Sequence, residues 1–496
     1  MHTRFKALAG ALLCAGLITP AHANPELEAL RAEIAQMKRQ YEARLKELEE
    51  RLKAAEGQAA VPPAAGATPQ AGADRLGALS SGSAFNPQIS VIFDGVYYRD
   101  NKRGEGPHLY EHLDGINHSH GHAHAHGIER GFNLRSTELV FAATVDPWFD
   151  AQLMLTVDAH GGVELEQAYF DTRSLPAGLK LRGGKFLSGI GYLNDKHPHE
   201  WDFVDQNLPY RTLLGEHGLK DTGLQLTWRP KTGRLYTLLG VETLQGQDQP
   251  YASAGLTVPA VRADGLPTAA GNGGTLDGQK AGPRLWTAFA KLAPSLGDHH
   301  ALQLGAWGGW ASQHQEVHDH SDENPGVACG LPGGKCLHAL QGKSRLWGLN
   351  AVYKFDAAGA YGAGDLALMA EYLHEVKDLK IAFHERPTVP VGAKRRFTQD
   401  GFYVQGVYGL APRWQLGLRY DVTGLTNKVD GPAGRLRSWD DSSRWTLALT
   451  HHFSEFSRLR LQASRARLAV DGQRERPNEL WIQYQHSLGA HGAHKF

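Results

Sequence analysis

Large apolar side chains recur at every second position, in segments of about ten residues, along most of the chain after residue 86. Residues 134–145, 163–170 and 445–453 are clear examples. Because successive side chains point to opposite faces of a strand, this period predicts β-strands with one apolar face and one polar face. In the second segment it places four side chains on one face: Val163, Leu165, Gln167 and Tyr169.

The connections between these segments are of two kinds. Short turns occupy residues 146–148, 410–413 and 454–455, and long loops rich in Gly, His and Asp occupy residues 101–131, 245–282 and 314–342. Short turns at one end, long loops at the other and weak alternation between them are typical of a transmembrane antiparallel β-barrel. Hydrocarbon cannot satisfy backbone polar groups, so a sheet in a bilayer must close on itself. The sequence therefore predicts an all-β transmembrane barrel over residues 86–496.

The length of this region limits the number of strands. About 410 residues divided among 16–18 strands leave roughly 23–26 residues for each strand and its connection, which suits a water-filled porin. A plugged transporter of 22 strands would leave about 19, with none remaining for a plug. A soluble secreted β-sandwich or propeller is the alternative architecture, but no blade-length repeat favours a propeller.

The first 85 residues divide into three segments. Residues 1–23 have a basic start, an apolar stretch and an Ala-His-Ala end, which predicts a secretory signal peptide. Residues 24–55 repeat apolar side chains at spacings of three and four, which predicts a coiled-coil helix that self-associates, most simply as a trimer. A lone amphipathic helix on its own domain is the alternative. Residues 56–85 are rich in Ala, Gly and Pro and predict a flexible linker.

Composition and charge exclude several classes of protein. The 496 residues carry 52 basic and 52 acidic side chains, which argues against a nucleic-acid binder that relies on bulk positive charge. The chain has no run of 18 apolar residues, so a bundle of membrane-spanning helices is excluded. It lacks the Gly-x-Ser-x-Gly, His-Glu-x-x-His and P-loop motifs, and we do not expect an enzyme. Cys329 and Cys336 flank a Gly-rich stretch of an exported chain and predict a local disulfide rather than a metal site.

Histidine is unusually abundant, with 26 residues. Five histidines alternate with other residues within residues 117–127: His118, His120, His122, His124 and His126. In an extended segment all five imidazoles point to one side, and Zn²⁺ needs only three or four such ligands. No cofactor is required, and Zn²⁺ would be a bound cation of modest, pH-dependent affinity.

Further candidate metal ligands form three groups: His108 and His112; His197, His199, Glu200 and Asp202; and His314, His318 and His320. The second group lies in the long loop after residue 186, and in porins one such loop can fold inward and narrow the pore. Alternatively, all of these side chains are solvated loop residues with no metal role.

Two resemblances extend this interpretation. Residues 480–496, which end in Phe496, resemble the terminal signal that the barrel-assembly machinery recognises in bacterial outer-membrane proteins. The layout of signal peptide, coiled coil, linker and barrel resembles the phosphate-selective porin family, most closely at residues 181–186 and 223–226. That family implies trimeric channels with rows of arginine and lysine inside the pore. The histidine-rich segment is instead similar to loops of outer-membrane proteins linked to zinc uptake.

We therefore expect a trimeric porin in the outer membrane of a Gram-negative bacterium, with its coiled coil in the periplasm. It would pass small hydrophilic solutes passively, and its extracellular His-rich loops would bind Zn²⁺ or a similar cation and favour its uptake. The expected partners are outer-membrane lipid, two further copies of the chain and the barrel-assembly machinery, but no nucleic acid. The alternatives are an anion-selective or general porin with incidental histidines, and a barrel-anchored surface protein that sequesters metal.

Overall fold

The computed structural model of the protein describes residues 88–103, 106–115, 128–158, 161–261, 268, 271–321 and 335–489. The predicted signal peptide, coiled coil and linker lie outside the described residues, as do residues 117–127, Cys329 and Phe496. Among the described residues, no helix is long and apolar enough to cross a membrane.

The described chain is built almost entirely of antiparallel strands. In chain order they are β1 Gln88–Asp100, β2 Gly131–Thr144, β3 Phe149–Val157, β4 Val163–Thr172, β5 Leu179–Leu187, β6 Lys220–Trp228, β7 Leu235–Leu244, β8 Asp248–Gln249, β9 Ala252–Ser253, β10 Leu285–Pro294, β11 His300–Ser321, β12 Lys335–Phe355, β13 Leu366–His384, β14 Lys394–Ala411, β15 Trp414–Gly431, β16 Gly434–Ser438, β17 Ser442–Ser454, β18 Ser457–Val470, β19 Gln473–Glu475 and β20 Asn478–Gly489.

Sixteen of these strands form one closed barrel, and β8, β9, β16 and β19 are short additions outside it. Closure is direct, because β1 pairs with β20 over eleven residue pairs from Ser90–Gly489 to Asp100–Glu479. A closed sheet leaves no unpaired edge, as a bilayer requires. The prediction of an all-β antiparallel barrel with 16–18 strands is confirmed.

Burial alternates along the strands as the sequence period predicts. On β17, Trp445 and Leu447 are 54% and 50% exposed on the outer face, whereas Thr446 and Ala448 are 1% exposed and point inward. The barrel thus presents an apolar outer face and a largely polar inner face, which inverts the arrangement of a soluble protein.

The face assignment in β4 is wrong for half of the segment. The pairing with β3 shifts register between Gln167 and Leu165, which is a β-bulge. Glu166 and Gln167 are consequently both buried on the inner face, while Val163 and Leu165 remain exposed on the outer face. A bulge adds one residue to one strand and so exchanges the two faces beyond it, and the alternation rule has no means of locating it.

The barrel wall has unequal height. Strands β2 to β7 and β10 contain 9–14 residues each, whereas β11 to β15 contain 18–22. We refer to these as the low wall and the tall wall. The extra length of the tall wall lies toward the end of the barrel that carries the long loops, because the opposite ends are joined by short turns such as residues 412–413 and 455–456.

Candidate pore constriction

The connection between β5 and β6, residues 188–219, folds into the barrel and is called the inward loop here. Its neck is closed by backbone and side-chain hydrogen bonds. The N–H of Ser188 donates to the carbonyl of Leu219 (2.9 Å), and the Asn194 side-chain amide donates to the carbonyls of Ser188 (2.8 Å) and Leu219 (3.0 Å). Asn194 therefore holds the two ends of the loop together while the remainder extends across the lumen.

A short helix, α1 Leu208–Leu213, stiffens the returning half of the inward loop. Asn207 caps it, since its side-chain oxygen accepts from the N–H of Tyr210 (2.9 Å), and Pro209 occupies the first turn. Leu208 and Leu213 are fully buried. They belong to apolar clusters that include wall side chains such as Leu468 and Leu346, so the loop packs on apolar patches of a wall that is otherwise largely polar.

Asp205 fixes the inward loop to one side of the wall. Its carboxylate accepts from Arg419 (2.9 Å) and Gln462 (2.7 Å) and also pairs with Arg444. Both guanidiniums contact Asp421 as well, at 2.8 and 3.3 Å. Burial alone would raise the pKa of Asp205, but the charges of Arg444 and Arg419 outweigh it and lower this pKa to about 2. Asp205 is therefore ionised across the whole physiological range.

A second buried carboxylate, Glu371 on β13, holds the outgoing half of the loop and forms no ion pair with any described residue. It accepts from the backbone N–H groups of Tyr192 (3.1 Å) and Leu193 (3.2 Å). The hydroxyls of Tyr210 (3.1 Å) and Tyr403 (2.6 Å) also donate to it. Four donors satisfy the carboxylate oxygens, which offsets much of the free energy of burying it.

The predicted histidine pair His197 and His199 reaches the opposite side of the barrel. Nδ1 of His199 donates to Oε2 of Glu138 on β2 (2.6 Å), His197 contacts Gln167 on β4, and the two imidazoles stack with centroids 5.6 Å apart. Burial lowers the pKa of His197. Burial acts on His199 in the same direction, but the Glu138 carboxylate outweighs it and raises the pKa of His199 above its usual value.

The other members of that group also hold the loop in place. Glu200 accepts from the N–H of His197 (3.0 Å) and so caps a single 3₁₀ turn, Pro198–Glu200. Asp202 accepts from the Gln405 amide (2.9 Å). All four predicted metal ligands thus lie in the inward loop, and each of them contacts another protein group that helps to hold the loop in place.

β18 contributes two inward arginines beneath this turn. Arg460, which is 1% exposed, donates to the carbonyl of Trp201 (2.9 Å) and to the Gln483 side chain (2.9 Å). Arg458 donates to the carbonyls of His199 (2.6 Å) and Trp201 (3.3 Å). Within the described chain neither guanidinium forms a salt bridge, although the carboxylates of Asp94 and Asp202 lie near enough to interact with both electrostatically.

The third predicted group lies on the inner face of β11. His314 and His318 are buried and both contact Glu316, at 2.7 and 3.2 Å, and Lys377 also pairs with this carboxylate. The side chain of His320 is outside the described part. Elsewhere, His108 pairs with Glu111 (3.1 Å) in the first long loop, which also carries His112. Cys336 is buried and disulfide-bonded, and the pairing with Cys329 stays a prediction.

Among the described residues, no three or more His, Cys, Asp or Glu side chains are arranged to hold a metal ion. Two buried histidines that sequence reasoning did not select, His338 and His384, complete a row with His318 across β11, β12 and β13, with ring centroids 5.1 and 5.7 Å apart. Only strand register brings these positions together. The sequence analysis did not select Arg458 and Arg460, because their contacts with the inward loop also depend on distant parts of the chain. The two-residue period on β18 does, however, place both arginines on one face of the strand.

Solved structures of similar shape are outer-membrane proteins. They include a loop-deletion mutant of OmpT from Vibrio cholerae (11% identity, 82% of this chain, all of that chain, TM-score 0.46). The outer membrane channel DcaP of Acinetobacter baumannii (11%, 81% and 96%, 0.45) and an anion-selective porin of Comamonas acidovorans (10%, 81% and 99%, 0.43) are comparable. At such scores the likeness carries no functional inference, and the barrel assignment stands on the strand pairing itself.

No protein-family model matches the chain. A protein of Aquifex aeolicus, described as uncharacterized, is 31% identical over 441 residues, which cover 85% of this chain and 83% of that protein. Identity of this level over most of both chains is enough to establish a common family. The chain therefore belongs to the same family as this Aquifex aeolicus protein.

Proposed function

We propose that the protein is an outer-membrane channel through which small hydrophilic solutes diffuse, and that the inward loop sets its size limit. The observation that carries this proposal is a loop fixed across a polar lumen, from Glu138 on β2 to Glu371 on β13, inside a closed barrel. The outer face supports a place in a bilayer, since side chains such as Leu447 and Leu461 are 50% and 47% exposed there.

Planar-bilayer conductance tests the channel and the loop together. Purified protein should give discrete conductance steps. Asp205→Asn should raise the unitary conductance and admit larger sugars in liposome swelling, because it removes the charge that holds Arg419 and Arg444 against the loop. Asp440→Asn, at an exposed ion pair with Arg474, is the matched control and should behave as wild type. Wild-type protein without conductance would refute the channel, and an Asp205→Asn variant with wild-type conductance would refute the role of the loop.

Selectivity for anions is a second candidate, and Arg458 and Arg460 favour it because two guanidiniums lie side by side on the inner face without a salt bridge among the described residues. The reversal potential in a salt gradient should then show anion preference, and Arg460→Gln should reduce it. A cation preference in the wild-type channel would contradict this candidate and leave the general porin.

We also propose that residues 117–127 bind Zn²⁺ or a similar divalent cation near the mouth and favour its uptake. Support comes from the regular alternation of five histidines and from the flanks of the segment. Gly115 precedes it, and Ile128 follows it and packs against the apolar cluster of Val96, Tyr98, Val204 and Trp481 near the loop end of the barrel. Calorimetric titration with Zn²⁺ should show loss of most binding sites on deletion of residues 117–127. The variant His314→Gln with His318→Gln is the comparison, and unchanged binding in the deletion would refute the proposal.

A further inference from the structure

The outer face of the tall wall carries a cluster of basic side chains near the loop end. We call it the basic belt, and its members are Lys343, Arg345, Lys380, Lys394, Arg396 and Lys428. Two carboxylates, Asp378 and Asp430, lie among them. Six cations against two anions leave this outward surface strongly positive.

Strand register assembles the belt from four neighbouring strands. Lys343, Asp378, Arg396 and Asp430 stand directly opposite one another on β12, β13, β14 and β15. Asp378 is shared between Arg345 (2.6 Å) and Arg396 (3.7 Å), which remain 59% and 56% exposed. One carboxylate therefore orients two guanidiniums while neutralising only one of them.

Aromatic side chains fix the depth of the belt relative to a membrane. Trp347 follows Arg345 by two positions on the same face of β12, which is about 7 Å along the strand. Its ring lies 5.5 Å from that of Tyr372, and farther round the barrel Tyr420 lies 4.5 Å from Trp445. Aromatic girdles mark the level of lipid head groups on transmembrane barrels, so the belt lies at or just beyond that level.

The low wall has a different surface near its loop end. Phe132 is 92% exposed and Val163 is 66% exposed, and Trp286 on β10 stacks on Trp310 of the adjoining tall-wall strand β11, with centroids 6.3 Å apart. Near the loop end, these outward side chains of the low wall are apolar or aromatic, whereas the corresponding side chains of the tall wall are basic. The cluster of six basic side chains therefore belongs to β12 to β15, and two further exposed arginines, Arg465 and Arg467, lie on β18.

We propose that the basic belt binds the phosphate groups of a phosphorylated glycolipid in the membrane leaflet that faces the long loops. The proposal rests on the membrane location given under Proposed function. Guanidiniums recognise phosphate with paired hydrogen bonds, and lysines add charge that attracts anionic head groups. The aromatic rings directly beneath the belt would contact the start of the acyl chains.

Native mass spectrometry of the full-length protein in neutral detergent tests the proposal, with doubly phosphorylated lipid A as the probe and its dephosphorylated form as the comparison. Arg345→Gln with Arg396→Gln should weaken binding of the phosphorylated lipid about 30-fold, since each lost charge is worth about fivefold. Lys380→Gln with Lys394→Gln, which leaves Asp378 and its partners intact, should give a similar loss.

The matched control is Lys231→Gln with Arg234→Gln, an equal loss of charge in the exposed turn between β6 and β7. It should bind the phosphorylated lipid as wild type does. Equal binding of the two lipids by wild type, or wild-type affinity in both belt variants, would overturn the proposal. Conductance in neutral phosphatidylcholine bilayers is measured separately, so that a failure of the channel and a failure of the belt give different results.

Discussion

Single buried side chains hold the inward loop, and they do so by two kinds of chemistry. Asp205 is stabilised by the opposite charges of Arg419 and Arg444. Glu371 accepts hydrogen bonds from N–H and O–H donors of the loop and β14, and no ion pair to it occurs in the described part of the chain. The first contact depends on charge and geometry together, whereas the second depends on geometry alone, because four donors must converge on one carboxylate.

Gly191 tests that geometry. Its φ is +60°, and a Cβ there would lie 2.3 Å from the Tyr210 hydroxyl and 2.8 Å from Glu371. Gly191→Ala should destabilise the protein by at least about 1 kcal/mol in thermal unfolding and weaken the Glu371 contact. Gly233→Ala is the control, since its φ is +69° but no atom lies within 4 Å of the added methyl. Equal losses in both variants would mean that backbone strain, and not the Glu371 contact, accounts for the effect.

His199 tests the charged contact at the other side of the lumen. Because Glu138 raises the pKa of His199, the protonated pair contributes fully below the ordinary histidine pKa of about 6.5, and this contribution is lost as pH rises through the higher folded-state pKa. The difference in melting temperature between wild type and His199→Gln should therefore shrink from pH 5.5 to pH 9. His217→Gln, at an exposed histidine of the same loop, should show no such trend.

At the level of elements, local patterns gave the strands but not their partners. The two-residue period on β17 sufficed to place Trp445 and Thr446 on opposite faces. The apolar residues of a single strand identify its outer face without any knowledge of the neighbouring strands. The contacts of the inward loop involve residues as distant as Glu138 and Gln462. No local pattern encodes such pairs, so the site could be placed in the correct loop while its chemistry could not be derived.

The histidines show the same limit. Spacing grouped His314 with His318, but both contact Glu316 instead of each other. The nearest imidazole to His318 in the row comes from His338, twenty positions away on the next strand. Proximity in the sequence therefore identified a histidine-rich region of the barrel, but it did not identify which histidine side chains are neighbours in that region.

On the scale of the whole molecule, the unequal walls and the basic belt give the barrel two distinct sides. The low wall is short and apolar near its loop end, and the tall wall is long and basic there. Such a division suits a barrel that meets other copies on one side and lipid on the other.

We accordingly predict a homotrimer that uses the low wall together with residues 24–55. Native mass measurement in detergent should give three copies for the full chain. Deletion of residues 24–55 should shift the population toward single barrels on dilution, while Leu153→Arg on the outer face of β3 should add to the loss. A full-length chain that remains a single copy at every concentration would contradict the prediction.

The seam between β1 and β20 has a consequence for biosynthesis. These strands are the first and last of the barrel, so their pairing joins positions as far apart as Ser90 and Gly489. A chain cut short before β20 would expose two open edges, on β1 and β18. The open edges of an incomplete chain would favour aggregation, so premature stop codons upstream of β20 should yield degraded or aggregated chains rather than smaller functional barrels.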